Sequence, residues 1–142
     1  MYNAVDIAKY VINKCIDLGR PISNLQLQKI LYYIQGEYIN KTNGKVLFNN
    51  KISAWQYGPV IPDVYDEFYG YSSSNINIKY STDELCENIK NIIDPVIEEK
   101  SKISAWLLVA QTHKELPWVK SYEEGRKNDI NLEIMKRYFL KQ

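Results

Sequence analysis

The chain has 142 residues, 45% of them hydrophobic, and 18 Lys and Arg stand against 17 Asp and Glu for a formal net charge of +1. That length suits one domain with a sizeable core, because a chain near this size hides about two-thirds of the surface its unfolded form exposes. Near-neutrality excludes a global field able to hold a polyanion by counterion release, and no stretch approaches the ~18 to 20 apolar residues of a membrane span, so neither nucleic acid nor membrane is an expected partner.

The first helix opens at Asn3, whose side chain suits an N-cap, and Ala4, Ala8, Val11, Ile12, Cys15 and Ile16 then recur at the three-and-four spacing of one buried face up to Gly19. Ser23 and Gln26 have the spacing of a capping box, with Ile22 placed to staple onto Leu27. The helix that follows has two apolar stripes, Leu27, Ile30, Leu31, Ile34 and Tyr38 on one side and Leu25, Tyr32, Gly36 and Ile39 on another, which makes it the central helix. Within it Lys29 is expected to lay its stem on the core and carry its ammonium to the surface or to a carboxylate.

Asn43-Gly44 signals a turn, and "VLF" and "KISAWQY" read as two short strands or a small hairpin that Pro59 ends. Pro62 suits the first turn of a short helix with Val64, Tyr65, Phe68 and Tyr69, and "GYSSSNIN" reads as a polar loop. Ser81 and Glu84 repeat the capping-box spacing ahead of Leu85, Ile89, Ile92, Ile93 and Val96, a helix that Pro95 should kink or break. Ile103, Trp106, Leu107 and Ala110 mark another short helix, "PWVKSYEEGRKND" reads as a long surface excursion, and Ile134, Met135, Tyr138 and Phe139 form a last amphipathic helix. The fold class expected is mainly α: a compact bundle of about six helices in a single domain over residues 1–142, with one small β-hairpin or pair of short strands.

The catalytic inventory is thin. His113 is the one histidine, no phosphate-binding or dinucleotide fingerprint occurs, and the acidic pairs Asp66/Glu67, Glu98/Glu99 and Glu123/Glu124 are adjacent residues that point apart on a helix. Cys15 and Cys86 lie in apolar patterns and read as buried thiols of a reduced cytoplasmic protein. No enzyme activity, metal site or cofactor is expected. His113 is placed to cap the end of its helix, and Trp118 beside Pro117 reads as either a plug at the core edge or an interface anchor. The stretch "SAWQYGPVIPDVYDEFYGY" is dense in aromatics: Trp55 and Tyr65 are expected in or near the core, while Tyr57, Gly58 and Pro59 at a strand-to-helix corner, with Tyr69 and Tyr71, are expected to form an exposed gripping surface.

Three blocks, "ISNLQLQKILYYIQGEYI", "ISAWQYGPVIPDVYDEF" and "THKELPW", followed by a distal "IMKRYF", occur in the order and spacing of the Panacea domain, and the chain resembles the SocA-like antitoxin family of bacterial toxin–antitoxin operons and prophages. The family's shared positions fall here on Leu27, Gln28, Lys29, Leu31, Tyr32, Tyr33, Trp55, Tyr57, Gly58, Pro59, Val60, Pro62, Val64, Tyr65, His113, Pro117 and Trp118. The resemblance implies a mostly helical, non-enzymatic protein that binds and neutralises a toxin encoded next to it. It also implies that delivery of the toxin to a housekeeping protease is open to this scaffold, as in one relative. The partner-binding residues it and the composition together nominate are Tyr57, Gly58, Pro59, Val60, Tyr69, Tyr71, His113 and Trp118. A different class of function on the same scaffold is a phage or mobile-element inhibitor of a host enzyme such as a defence nuclease.

Overall fold

A computed structural model describes residues 1–141. The Asn3 side chain accepts a hydrogen bond from the Val5 N–H at 2.9 Å and starts α1 (Ala4–Asp17), which buries Ala4, Ile7, Ala8, Val11, Ile12 and Cys15. Its end is a Schellman motif: Gly19 takes a φ of +73°, its N–H reaches the Ile16 carbonyl, and the Arg20 N–H reaches that of Cys15. Ser23 and Gln26 form the expected capping box on α2 (Asn24–Lys41). Every residue from Leu27 to Gly36 is buried, because α2 is surrounded by α1, α3, α4, α5, α7 and strand β2.

The sheet is small and antiparallel, in the order β2-β1-β3. Strand β1 (Ser53–Trp55) pairs with β2 (Gly58–Val60) in the register Ala54 opposite Pro59, and on its other side with β3 (Asn128–Asp129). The hairpin therefore forms one step later than the sequence suggests. "VLF" supplies only a single bridge, Phe48 to Tyr2, and Pro59 lies inside a strand instead of ending one. An edge strand tolerates this, since the missing N–H of proline would face away from the ladder.

Pro62 opens α3 (Pro62–Glu67), and a 3-10 turn over Tyr69–Tyr71 follows. The helix expected from Ser81 does not begin there: α4 spans Glu87–Lys100 and Cys86 is its N-cap residue. Asn13 holds the residue just before the expected start, its Nδ2 donating to the Tyr80 carbonyl at 2.7 Å and its Oδ1 accepting from the Tyr80 N–H at 2.9 Å. Cys86 is consequently exposed, not buried as expected, whereas Cys15 is buried. Helix α4 also continues through Pro95 without the break expected there. Pro95 and Asn91 are both on the solvent face, so water can meet the carbonyl that loses its intrahelical partner.

Helix α5 (Ala105–Thr112), α6 (Leu116–Ser121) and α7 (Leu132–Phe139) complete the chain. The predicted surface excursion is in fact α6 plus β3, and Pro117 starts a helix in its first turn. The described residues thus hold seven α-helices, one more than expected. Gly36 lets α7 approach α2 closely: a Cβ there would stand 2.4 Å from the Phe139 ring. Among the described residues no helix is long and apolar enough to cross a membrane.

Candidate functional site

Several polar residues of α2 are buried, and each of these meets a specific backbone group or side chain. Gln35 accepts from the Leu47 N–H and donates to the Phe48 carbonyl, both at 2.8 Å. Gln28 accepts from the Ile61 N–H at 2.9 Å and donates to Asn24, which in turn donates to the Tyr65 carbonyl. Tyr32 and Tyr33 each donate to a different oxygen of the buried Glu115 carboxylate at 2.9 Å. Burial pushes the Glu115 carboxyl above the usual range, opposed by those two hydroxyls and by the Lys100 charge. Lys29 departs from its expectation. Its side chain is fully buried, its ammonium neither reaches solvent nor pairs with a carboxylate, and its Nζ donates to the Pro59 carbonyl at 3.1 Å. Burial alone lowers its pKa to about 7.

Those helix contacts and the "THKELPW" segment converge on one turn. The Trp55 carbonyl accepts from Trp118 Nε1 at 2.7 Å, the Gln56 carbonyl is 3.0 Å from His113 Nε2, the Pro59 carbonyl takes Lys29 and the Ile61 N–H takes Gln28. A carbonyl only accepts, so His113 carries its proton on Nε2. The imidazole therefore secures the β1–β2 turn, while only the backbone of His113 caps α5, correcting the side-chain capping role expected of it. Gly58, at a φ of +106°, allows the tightness: a Cβ would lie 2.7 Å from both Lys29 Cε and Thr112 Oγ1. The result is a turn fixed from below, with Gln56 and Tyr57 left exposed at its tip.

Around this tip lie a groove and an apolar patch. The groove, of about 890 Å³, is lined by Trp55, Tyr57, Tyr65, Tyr69 and Tyr122 on its aromatic walls and by Glu124, Arg126 and Lys127 at its charged side. Trp55 and Tyr65, expected in or near the core, are half-buried groove walls in edge-to-face contact at 4.9 Å, and Lys127 Nζ stands 4.2 Å from the Trp55 ring centre. Tyr57 belongs to the groove and also meets the Trp106 ring edge-on at 5.1 Å, which joins the groove to the outer face of α5. There Trp106 is 61% and Leu107 64% exposed.

The nominated residues divide accordingly. Tyr57 and Tyr69 are exposed on the groove, whereas Gly58 and Pro59 are buried and shape the turn, and Val60 is buried at the groove floor. Tyr71 is half-buried with its hydroxyl 2.5 Å from that of Tyr80, away from the groove wall. Trp118 is half-buried, stacked between His113 at 4.0 Å and Tyr122 at 4.5 Å, so it buttresses the turn. Sequence reading uses Trp106 and Leu107 only to mark a helix and does not nominate them as surface residues; the buried residues of α5 are Leu108, Val109 and Thr112. The available signal was that α5 is apolar all round, although a short helix on a bundle surface can bury only one side.

The family model of the antitoxin SocA-like Panacea domain matches residues 27–119, a span that contains most of α2, the turn, α5 and most of α6. Among curated proteins the chain is similar to Antitoxin SocA of Caulobacter vibrioides (strain NA1000 / CB15N), with 30% identity over 119 residues that cover 75% of this chain and 63% of that protein. The chain thus spans a little under two-thirds of that relative's length. No solved structure matches it.

Proposed function

Because the chain belongs to the SocA-like antitoxin family defined by the Panacea domain, we propose that it neutralises a toxin by direct protein contact through the rim formed by Tyr57, Tyr69, Trp106 and Leu107. The observation that carries this reading is the turn itself, held by Lys29, Gln28, His113 and Trp118 so that an exposed tyrosine projects beside an exposed tryptophan. A rigid aromatic anchor loses little conformational freedom on binding, and tyrosine and tryptophan dominate interface hot spots. The reactive groups support binding over turnover. The His113 Nε2 proton is committed to a backbone carbonyl, and the Cys15 thiol is pushed up to about 11 by burial.

The test is titration against the toxic protein encoded beside this chain. Protection should saturate at a fixed molar ratio, as sequestration requires. Protection at strongly substoichiometric levels in the absence of any protease would overturn the proposal, while substoichiometric protection that needs a protease identifies delivery for degradation. A chain that protects no neighbour but inhibits a host nuclease would reassign the same rim to the phage-inhibitor class.

A further inference from the structure

The stretch from Lys102 to Lys127 flanks the β1–β2 turn, with Trp106 against Tyr57, His113 on Gln56, and Trp118 and Lys127 on Trp55, and its exposed side chains combine apolar groups with cations that meet no anion among the described residues. Lys102, Lys114 and Lys120 are solvent-exposed, and among the described residues none lies within ion-pair distance of a carboxylate. Lys127 sits over the Trp55 ring and has no carboxylate either. The acids of the same stretch do not compensate: Glu115 is buried on two tyrosine hydroxyls and Glu123 faces Arg126 at 3.6 Å, which leaves Glu124 alone. Interleaved with these lysines are the exposed Trp106, Leu107 and Val119. The shortage of acceptors reaches into the groove wall, where the buried Trp55 Nε1–H has no hydrogen-bond partner.

We propose that this surface docks an acidic amphipathic segment of the protein partner, with aliphatic or aromatic side chains on Trp106 and Leu107 and carboxylates opposite Lys114, Lys120 and Lys127. The proposal deepens the toxin-binding reading and rests on it for the partner's identity, though not for its chemistry. Complementary charge across an interface steers encounter and fixes register, while desolvated aromatic contacts supply most of the affinity. A nucleic acid fits less well. Leu107 and Val119 offer aliphatic surface that neither a base nor a phosphate rewards, Glu124 stands in the groove, and the whole chain has a net charge of +1.

The test uses the full chain and three labelled probes: a peptide with Leu and Phe at helical spacing and Asp and Glu between them, the same peptide with Lys at the acidic positions, and a single-stranded oligonucleotide. Fluorescence anisotropy should show the acidic peptide binding about tenfold more tightly than the basic one near 0.05 M salt, with the difference shrinking near 0.5 M as screening shortens the range of charge. Lys114→Glu/Lys120→Glu/Lys127→Glu should remove or invert the preference, and Trp106→Ala should weaken the acidic peptide. Melting curves confirm that both variants fold. Equal or opposite peptide preference, a preference unchanged in the charge-reversed variant, or tighter binding of the oligonucleotide would overturn the proposal. Protection of cells by the parent chain is scored separately, so a failed charge preference with intact protection rejects the acidic segment and leaves the toxin-binding reading standing.

Discussion

Helices α2 and α5 invert the usual arrangement in opposite ways. The central helix buries glutamines, a lysine and two tyrosines, and the peripheral one exposes a tryptophan and a leucine. In α2 every buried polar side chain is matched to a backbone group or carboxylate of another segment, so its polarity specifies where the hairpin, the loop at Leu47–Phe48 and the α5–α6 corner must sit. Unpaired, those groups would cost about 1 to 3 kcal/mol each, so a misplaced segment is penalised. In α5 the apolar residues have no such internal partner. The contrast separates two roles: the "LQKILYY" stretch is scaffold, and the surface it holds up is the one proposed above to meet a partner.

The largest expected effect breaks the comparison at Lys29. Its pKa in the fold is about 7 against an ordinary value of 10.5, so over that interval the unfolded chain holds the extra proton. Folding stability from this residue is then fully present above pH 10.5, falls as pH drops toward 7, and is flat below, with a slope near about 1 kcal/mol per pH unit. Lys29→Met should abolish that slope and be at least as stable at neutral pH, since an apolar side chain of similar length removes a buried cation. Denaturant unfolding of both proteins from pH 7 to pH 10 decides it, and parallel curves would mean that the ammonium is hydrated in the fold.

Gly58→Ala comes next. A positive φ and a Cβ 2.7 Å from Lys29 and Thr112 together should cost about 3 kcal/mol of folding stability, read as a lowered melting temperature. The companion change on the other region is Trp106→Ala, which should cost about 2 kcal/mol or more of partner affinity with little change in melting temperature. Loss of stability without loss of binding would place Trp106 with the scaffold. The smallest effect is at His113, where His113→Ala removes one hydrogen bond to the turn and a stacked ring, for about 1 kcal/mol of stability. Hydrogen exchange localises it: the loosening should appear around Gln56 and Tyr57 and not along α5.

Much of this was legible in the chain because the signals are local. Asn3, Gly19, and the Ser23–Gln26 box delimit α1 and α2 through bonds between residues only a few positions apart, and the double stripe of α2 announced a helix buried on all sides. The same capping-box spacing at Ser81 and Glu84 opens no helix, for the Glu84 carboxylate pairs with Lys90 and α4 begins only at Glu87. Nor could periodicity choose the buried side of α5, where Trp106 and Leu108 are equally apolar and only the position of α2 decides which is covered.

The nominated binding residues show the same division. An aromatic turn with Gly58 and Pro59 was evident from composition, but whether those two present a surface or form its support depends on Lys29 and Thr112 lying beneath them. By itself the sequence determined the mainly helical class, the bounds of α1 and the start of α2, the family and the presence of a tight aromatic corner, since each rests on short-range backbone chemistry or on an ordered set of motifs. Tertiary structure alone decided which aromatics face solvent, that Lys29 lies wholly inside, and that among the described residues neither it nor Lys102, Lys114, Lys120 and Lys127 meets a carboxylate. Burial and charge pairing belong to contacts between segments that the chain brings together only when folded.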